Sequence, residues 1–156
     1  MAVQVLLLTD DRPEWQALID YASICPWRAG PYLAREMRAG RFTGWERVTA
    51  LLVDGEIAGF CDFTAYDEIL PECGFTPFIG FVYVEEKRRG RRYSQRMLEA
   101  VERYAADCGF EKTYLMSDER GLYEKYGYTP LGEYPTIFHT KEMLFEKTIV
   151  KEGEIV

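Results

Sequence analysis

The sequence lacks any run of the ~20 apolar residues that a membrane-spanning helix requires. Its opening, MAVQVLLLTDD, has a short apolar run and no basic start of the kind that marks a signal peptide. We therefore expect a cytoplasmic protein that has no membrane partner.

Cysteine and histidine are scarce and scattered. Cys25, Cys61, Cys73 and Cys108 form no C-x-x-C pair, and His139 is the single histidine of the sequence. A zinc site usually draws four ligands from such residues at close spacing. We therefore predict no metal, and we expect the four cysteines to be buried free thiols.

Basic residues are outnumbered, with 19 Lys and Arg against 26 Asp and Glu and a formal net charge of −7. Affinity for nucleic acid comes mainly from lysine and arginine at phosphates, so we expect no nucleic-acid partner. The sequence also lacks the G-x-x-x-x-G-K-[ST] loop and the G-x-G-x-x-G turn of two large nucleotide-binding classes.

The composition is otherwise that of a globular protein, with 47% hydrophobic and 29% charged residues in 156 positions. We predict one domain over residues 1–156, because the chain shows no repeat and no linker. The stretch LPECGFTP, residues 70–77, reads as an irregular loop.

The first half of the chain predicts a strand, two helices and a hairpin. VQVLLLT is a strand, after which Asp10 or Asp11 is expected to cap a helix with Pro13 in its first turn. GPYLAREMRAG predicts a second helix. Two apolar runs then flank Asp54 and Gly55, a pair that favours a type I′ hairpin turn.

The second half predicts a strand, a basic turn and a helix, followed by another strand, a short helix and two terminal strands. PFIGFVYVEE leads into KRRGRR and then into an amphipathic helix that ends at Gly109. KTYLMS is the next strand, and ERGLYEKYGY is a short helix that ends at Gly127. The remainder, YTPLGEYPTIFHTKEMLFEKTIV, reads as two terminal strands.

The basic turn is a candidate anion site. The first N–H groups of a helix have no intrahelical acceptor, and the helix dipole adds positive potential there, so a phosphate fits at such a place. Gly90 allows close approach of the backbone, and Arg89, Arg91 and Arg92 add charge. Ser94 lies where its hydroxyl caps the helix or contacts a phosphate oxygen.

Two segments of the chain resemble the GNAT superfamily of acyl-CoA-dependent N-acetyltransferases. VYVEEKRRGRRYSQRML is similar to the family's strand, R/Q-x-x-G-x-G/A turn and helix, with Arg89 in the first motif position. Arg92 stands where the family usually has a glycine, and Ser94 stands where it has a glycine or an alanine. TYLMSDERGLYEKYGYTPLG is similar to the family's later strand, loop and short helix.

The resemblance implies an α/β (α+β) fold with a mixed, mostly antiparallel sheet of about seven strands and about four helices, splayed between strands 4 and 5. It also implies acetyl-CoA as co-substrate. The residues that would hold acetyl-CoA lie on the fourth strand, on the turn and at the start of the helix: Val82, Tyr83, Val84, Arg89, Gly90, Arg91, Arg92, Tyr93 and Ser94.

The resemblance assigns the general acid to Tyr123, which matches the family's tyrosine facing the CoA sulfur. A phenol stays protonated at neutral pH and can donate to the departing thiolate. The general base is open, because Gly80 occupies the position where many relatives have a glutamate. Asp118 at the end of the fifth strand is a candidate, and the alternatives are water chains or one of Asp62, Asp67, Glu68, Glu72 and His139.

The expected activity is transfer of an acetyl group from acetyl-CoA to a primary amine of a small molecule or peptide. The carboxylates before the fourth strand favour a cationic acceptor. The aromatic side chains that could line its pocket, or could belong to the core, are Trp15, Trp27, Tyr32, Phe42 and Trp45. The alternative function is an acyl-CoA-binding sensor of the same fold without turnover. A homodimer is compatible with either function.

Overall fold

The computed structural model describes residues 2–149, which form seven β-strands and four α-helices. In chain order these are β1 Val3–Leu8, α1 Glu14–Ser23, α2 Ala29–Arg38, β2 Arg47–Val53, β3 Glu56–Thr64, β4 Phe78–Val84, α3 Tyr93–Asp107, β5 Lys112–Ser117, α4 Leu122–Lys125, β6 Thr129–Pro135 and β7 Lys141–Thr148. Residues 1 and 150–156, which include the last residue of the predicted terminal strand, lie outside this description. The elements confirm the predicted fold class.

The strands form a mixed sheet in the order β1-β2-β3-β4-β5-β7-β6. The β5–β7 and β6–β7 ladders are antiparallel, whereas β4 and β5 run parallel. Within the described residues the β4–β5 register covers one pair, Phe78 with Tyr114. A ladder restricted to the start of β4 is what the predicted splay between strands 4 and 5 requires.

The predicted hairpin between β2 and β3 is confirmed. Asp54 and Gly55 both have positive φ, at 52° and 82°, which is the backbone conformation of a type I′ turn. β2 and β3 pair antiparallel on either side of it, from Arg47 with Phe63 to Val53 with Glu56.

The chain divides into two compact units. The N-terminal unit comprises Met1–Phe63 and Phe81–Met97, and the C-terminal unit comprises Thr64–Gly80 and Leu98–Val156. Strand β4 and helix α3 therefore each contribute residues to both units. The prediction of one domain over residues 1–156 stays a prediction.

Each unit has its own group of buried apolar side chains. In the N-terminal unit α1 and α2 bury one face each against the sheet, with Leu18, Leu33 and Phe60 fully buried. In the C-terminal unit Ile69, Phe78, Tyr114 and Leu144 form a smaller cluster. Full burial of a side chain of this size contributes roughly 1.5–3 kcal/mol to stability, so these clusters hold the strands in register.

The start of α1 differs from the prediction. The residue before the helix is Pro13, which makes no side-chain cap, and the Asp11 carboxylate instead accepts a hydrogen bond from the Thr9 hydroxyl. The predicted cap by Asp10 or Asp11 is therefore wrong, because the chain needs an extra turn before Pro13 sets the helical φ.

The cysteines are free, as predicted, but they are not all buried. Cys61 is buried, Cys25 and Cys73 are half-buried, and Cys108 is exposed. The prediction of a buried thiol fails at Cys108 because α3 ends at Asp107, which places this residue in the turn before Gly109.

Helices of the described residues 2–149 are all too short or too polar to cross a membrane. The predicted location in the cytoplasm stays a prediction.

Candidate functional site

Strand β4 is irregular at its centre. Phe81 has a φ of +50°, a conformation that costs a non-glycine residue roughly 1–3 kcal/mol. On the neighbouring strand, a Cβ added to Gly59 would lie 2.3 Å from the Tyr83 carbonyl oxygen and 3.2 Å from the Val84 Cα. Only glycine lets β3 approach β4 so closely, so the backbone of residues 81–84 is held in a defined position.

An aromatic group of the N-terminal unit packs on this part of β4. The Trp27 ring is stacked on the Tyr83 ring at a centroid distance of 5.8 Å and an angle of 11°, and it is 39% exposed. Tyr32 packs on Phe81 at 5.7 Å. Burial, together with a hydrogen bond to Cys25, raises the pKa of Tyr83 to about 12.

The five aromatic residues proposed from the sequence therefore have different roles. Trp27 and Tyr32 lie beside β4, whereas Trp15 is buried in the core of the N-terminal unit with Phe42 against it. Trp45 packs on Phe63 at 5.1 Å.

Glu85, the residue after β4, ties the following turn to α1. The Tyr21 hydroxyl donates to Glu85 Oε1 at 2.8 Å, and Arg88 Nε lies 3.4 Å from Glu85 Oε2. Burial and the bond to Glu85 raise the pKa of Tyr21 above its usual range. This anchor fixes where the chain enters the basic turn.

The basic turn itself is shaped by the backbone. Gly90 has a φ of +84° and Arg92 a φ of +59°, both left-handed. The Arg89 Nε donates to the Val84 carbonyl oxygen at 2.8 Å, and its guanidinium carbon lies 5.9 Å from the centroid of the Tyr83 ring. Arg89 thus braces the turn, while Arg92 takes the conformation that a glycine adopts without strain.

Helix α3 begins immediately after this turn. Tyr93 is buried at 6% exposure, and Ser94 is half-buried. The first intrahelical bond runs from the Arg96 N–H to the Arg92 carbonyl, so the N-terminal end of the helix follows directly on the turn. The structure thus brings together all nine residues predicted to hold the co-substrate in the N-terminal unit, from Val82 to Ser94.

Four carboxylates meet in the C-terminal unit: Asp67, Glu68, Asp118 and Glu142. The loop that carries Asp67 and Glu68 is fixed because the Glu68 carbonyl accepts a hydrogen bond from the Ile137 N–H at 2.7 Å, next to a bridge between Ile69 and Thr136. Pairing of β5 with β7 brings Ser117 opposite Met143, which explains why Asp118 and Glu142 are close. We call these four residues the carboxylate cluster.

The carboxylate cluster has perturbed acidities. Burial raises the pKa of Asp67 to about 7, and the charge of Glu142 adds to the effect. Burial also raises the pKa of Glu142 to about 7, and the carboxyl group donates a hydrogen bond to Glu68. Burial, with the charges of Asp67 and Asp118, raises the pKa of Glu68. At neutral pH the cluster therefore holds protons that ordinary carboxyl groups would have lost.

Glu142 is a member of the cluster that the sequence did not single out. It is 74 residues from Glu68 along the chain, and no local pattern in KEMLFEKT connects the two positions. Of the other base candidates, Asp62 is buried on β3 in the N-terminal unit, Glu72 is exposed in the loop before β4, and His139 is exposed with a φ of +63°. His139 lies in the turn between β6 and β7, outside the strand in which it was predicted.

Tyr123 lies in α4 and is buried at 6% exposure. Its ring contacts those of Tyr126, Tyr128 and Phe145 at centroid distances of 6.1, 6.4 and 5.8 Å. At its start the Gly121 N–H donates to Glu124 Oε1, and after its last residue, Lys125, Gly127 at a φ of +94° closes the helix, as predicted. Tyr123 is thus held by packing on three sides.

In the part of the chain that the structure describes, no group of three or more His, Cys, Asp or Glu side chains is arranged so that it could hold a metal ion.

The profile of the acetyltransferase (GNAT) family matches residues 8–128, more than three quarters of the chain. The chain belongs to this family. It is an acetyltransferase by that membership, which confirms the resemblance drawn from the motifs around Arg89 and Tyr123. A search of curated protein sequences gives no match.

Solved structures of other acetyltransferases share the fold. An aminoglycoside 6′-acetyltransferase type Ii is 22% identical, with a TM-score of 0.70 over 96% of this chain and 99% of its own. An aminoglycoside 6′-N-acetyltransferase complexed with coenzyme A is 19% identical, with a TM-score of 0.69 over 97% and 99%. A GNAT acetyltransferase from Elizabethkingia anophelis with acetyl-CoA bound is 16% identical, with a TM-score of 0.62 over 94% and 98%.

Proposed function

We propose that the protein transfers the acetyl group of acetyl-CoA directly to a primary amine of a cationic small molecule. The observation that carries the proposal is the carboxylate cluster, in which two carboxyl groups have a pKa of about 7. Such groups attract a cationic amine and can also take a proton from it near neutral pH.

The co-substrate is assigned to the basic turn and the strand before it. The pyrophosphate of acetyl-CoA would lie at the start of α3, held by backbone N–H groups of residues 89–94 with added charge from the arginines. The strand residues Val82, Tyr83 and Val84 offer the backbone groups for the pantetheine arm. The structures of family members with coenzyme A or acetyl-CoA bound support this choice of co-substrate.

The acceptor is assigned to the class of cationic amines for two reasons. The carboxylate cluster collects four acidic side chains in one unit of a protein whose net charge is −7. Two of the structures that share the fold are named as aminoglycoside acetyltransferases, and aminoglycosides carry several amines. An aminoglycoside or another polyamine is therefore the first acceptor to test.

The chemistry needs a base and an acid. An ionised carboxylate of the cluster takes the proton from the ammonium group, and the neutral nitrogen attacks the thioester carbonyl carbon. The C–S bond then breaks, and the Tyr123 hydroxyl donates its proton to the leaving thiolate. Asp67 and Glu142 join the sequence-predicted Asp118 as candidates for the base, because a pKa of about 7 lets a carboxyl group accept and release protons near neutral pH.

The deciding experiment combines binding with turnover. Acetyl-CoA should raise the melting temperature, and free thiol should appear when aminoglycosides or linear polyamines are added but not with acidic amino acids. A thermal shift without thiol release from any amine would replace the proposal with the sensor function. Preference for a neutral or acidic acceptor would refute the assignment of the cluster.

A further inference from the structure

A buried polar network around Tyr128 joins three elements of the C-terminal unit. The Tyr128 hydroxyl donates to Glu102 Oε2 at 2.9 Å and lies 2.8 Å from the Thr113 hydroxyl, which must then donate to it. Lys147 Nζ donates to Glu102 Oε1 at 2.8 Å. The network thus links α3, β5 and β7 to Tyr128, which lies between α4 and β6.

The network is continuous with Tyr123. The Tyr128 N–H donates to the Tyr123 carbonyl at 3.0 Å, and the two rings meet edge to face at 6.4 Å. Between them, Gly127 has a φ of +94°, and a Cβ on it would lie 3.2 Å from Lys147 Cε. A four-residue helix has little stability of its own, so its position depends on such tertiary contacts.

The partners of Tyr128 are costly to bury. Glu102 is 8% exposed, and burial raises its pKa even though Lys147 and Tyr128 counteract the effect. A buried ion pair of this kind adds little net stability over apolar residues of the same size. Its contribution is directional, because the two hydrogen bonds of the Tyr128 hydroxyl, to Glu102 on α3 and to Thr113 on β5, fix the orientation of the Tyr128 ring.

We propose that Tyr128, held by Glu102 and Lys147, is a positioning residue that sets the orientation of the Tyr123 phenol for proton donation. The proposal rests on the general-acid role of Tyr123 under the proposed function. Tyr128 touches neither substrate nor co-substrate in this role. It acts through the ring contact and the backbone hydrogen bond to Tyr123.

A double-mutant cycle tests the proposal by single-turnover acetyl transfer to the best amine of the panel. Tyr128→Phe keeps the ring and removes the hydroxyl, and it should slow the chemical step by about tenfold with the KM for acetyl-CoA unchanged. In a Tyr123→Phe background the same change should slow the step by less than twofold, because no proton donor remains to be positioned.

Controls separate positioning from general stability. Tyr114→Phe removes a hydroxyl that also bonds to a carboxylate, Glu146, but is not one of the hydrogen-bonded groups around Tyr128, and it should leave the rate within twofold of the parent rate. Glu102→Gln keeps an acceptor for Tyr128 and should retain a rate between those of the parent and Tyr128→Phe. If Tyr128→Phe does not fold, Glu102→Gln in both backgrounds provides the same cycle.

The outcomes are distinct. An unchanged rate in Tyr123→Phe refutes the general-acid role and, with it, the positioning role. If Tyr123→Phe is slow but Tyr128→Phe transfers the acetyl group at the parental rate, the general-acid role stands and only the positioning role is overturned. An equal loss from Tyr128→Phe in both backgrounds also overturns it, because Tyr128 would then act independently of Tyr123.

Discussion

The basic turn of the N-terminal unit and the carboxylate cluster of the C-terminal unit suit ligands of opposite charge, and they do so by different physical means. The turn suits an anion through backbone conformation, with Gly90 and Arg92 at positive φ and its arginine side chains exposed. The cluster suits a cation through side chains that burial and mutual repulsion have made less acidic. The charged side chains of the turn stay hydrated and so lose little solvation free energy. The carboxyl groups of the cluster are partly buried, so burial favours their neutral, protonated forms.

This difference predicts different consequences of mutation. Changes to the backbone of the turn should alter acetyl-CoA affinity and leave the pH dependence of the acceptor kinetics alone, because the turn contains none of the four carboxyl groups of the cluster. Changes in the cluster should alter the pH dependence and the acceptor kinetics. Changes at Tyr123 should alter the rate of the chemical step alone.

The largest effect is expected at Tyr123. Tyr123→Phe keeps the ring contacts with Tyr126, Tyr128 and Phe145 and removes only the hydroxyl. The kcat should fall by about 10²- to 10⁴-fold, since general acids typically contribute on this order, with unchanged melting temperature and acetyl-CoA affinity. Tyr126→Phe, directly after the same helix, is the matched control, and its kcat should stay within twofold of the parent value. A loss of affinity as large as the loss of rate would mean that the hydroxyl binds and does not donate.

The second effect tests whether the turn works through its backbone. Gly90→Val should weaken acetyl-CoA binding by about tenfold or more, because a β-branched residue resists a φ of +84° and blocks close approach of phosphate. Gly40→Val is the control, since Gly40 has a φ of +69° and a Cβ on it, as on Gly90, would meet nothing within 4 Å. Both variants should lose similar stability in urea unfolding. Equal acetyl-CoA affinity in the two, measured by calorimetry, contradicts the assignment of the turn.

The third prediction concerns pH dependence in the cluster. The kcat/KM for a cationic amine should rise through about pH 7 as the carboxyl groups of Asp67 and Glu142 ionise. Glu142→Gln removes a charge that raises the pKa of Asp67, so the rise should move down by about one pH unit. Glu146→Gln on the same strand serves as control and should keep the parental profile.

The pH dependence of the free energy of unfolding provides a second test of the raised pKa values of Asp67 and Glu142. A carboxyl group whose pKa is raised by folding contributes stability that is present below its unfolded pKa and lost as pH rises through the folded value. The free energy of unfolding should therefore fall between about pH 4 and pH 7 by about 1 kcal/mol more in the parent than in Glu142→Gln, after allowance for screening at half-buried groups. An equal pH dependence of urea unfolding in both proteins would show that Glu142 is not coupled to the cluster.

The two regions also differ in how far the sequence predicts them. The turn is contiguous, so one segment of the sequence contains the strand before it, its glycine and the helix after it, and the structure confirms the order of these elements. The cluster is assembled by pairing of β5 with β7 and by the bond between Glu68 and Ile137, which are long-range contacts. The sequence therefore indicates Asp67, Glu68 and Asp118 as separate candidates but not that they lie close together, and it does not indicate Glu142 at all. Its perturbed pKa depends on burial, which is a property of the fold.

The smallest effect is expected at Arg92, where two substitutions separate the contribution of backbone conformation from that of side-chain charge. Arg92 holds a φ of +59° at a position where the sequence motif usually has glycine, so Arg92→Gly should relieve strain and stabilise the fold by about 0.5–1 kcal/mol. Arg92→Ala removes the same charge and keeps the strain, so it should show no such gain in urea unfolding. Both should bind acetyl-CoA within about threefold of the parent affinity, because the backbone N–H groups that hold the anion remain. If both instead lose affinity by tenfold, the side chain holds the anion, and the contrast between a backbone site for phosphate and a side-chain site for the amine no longer stands.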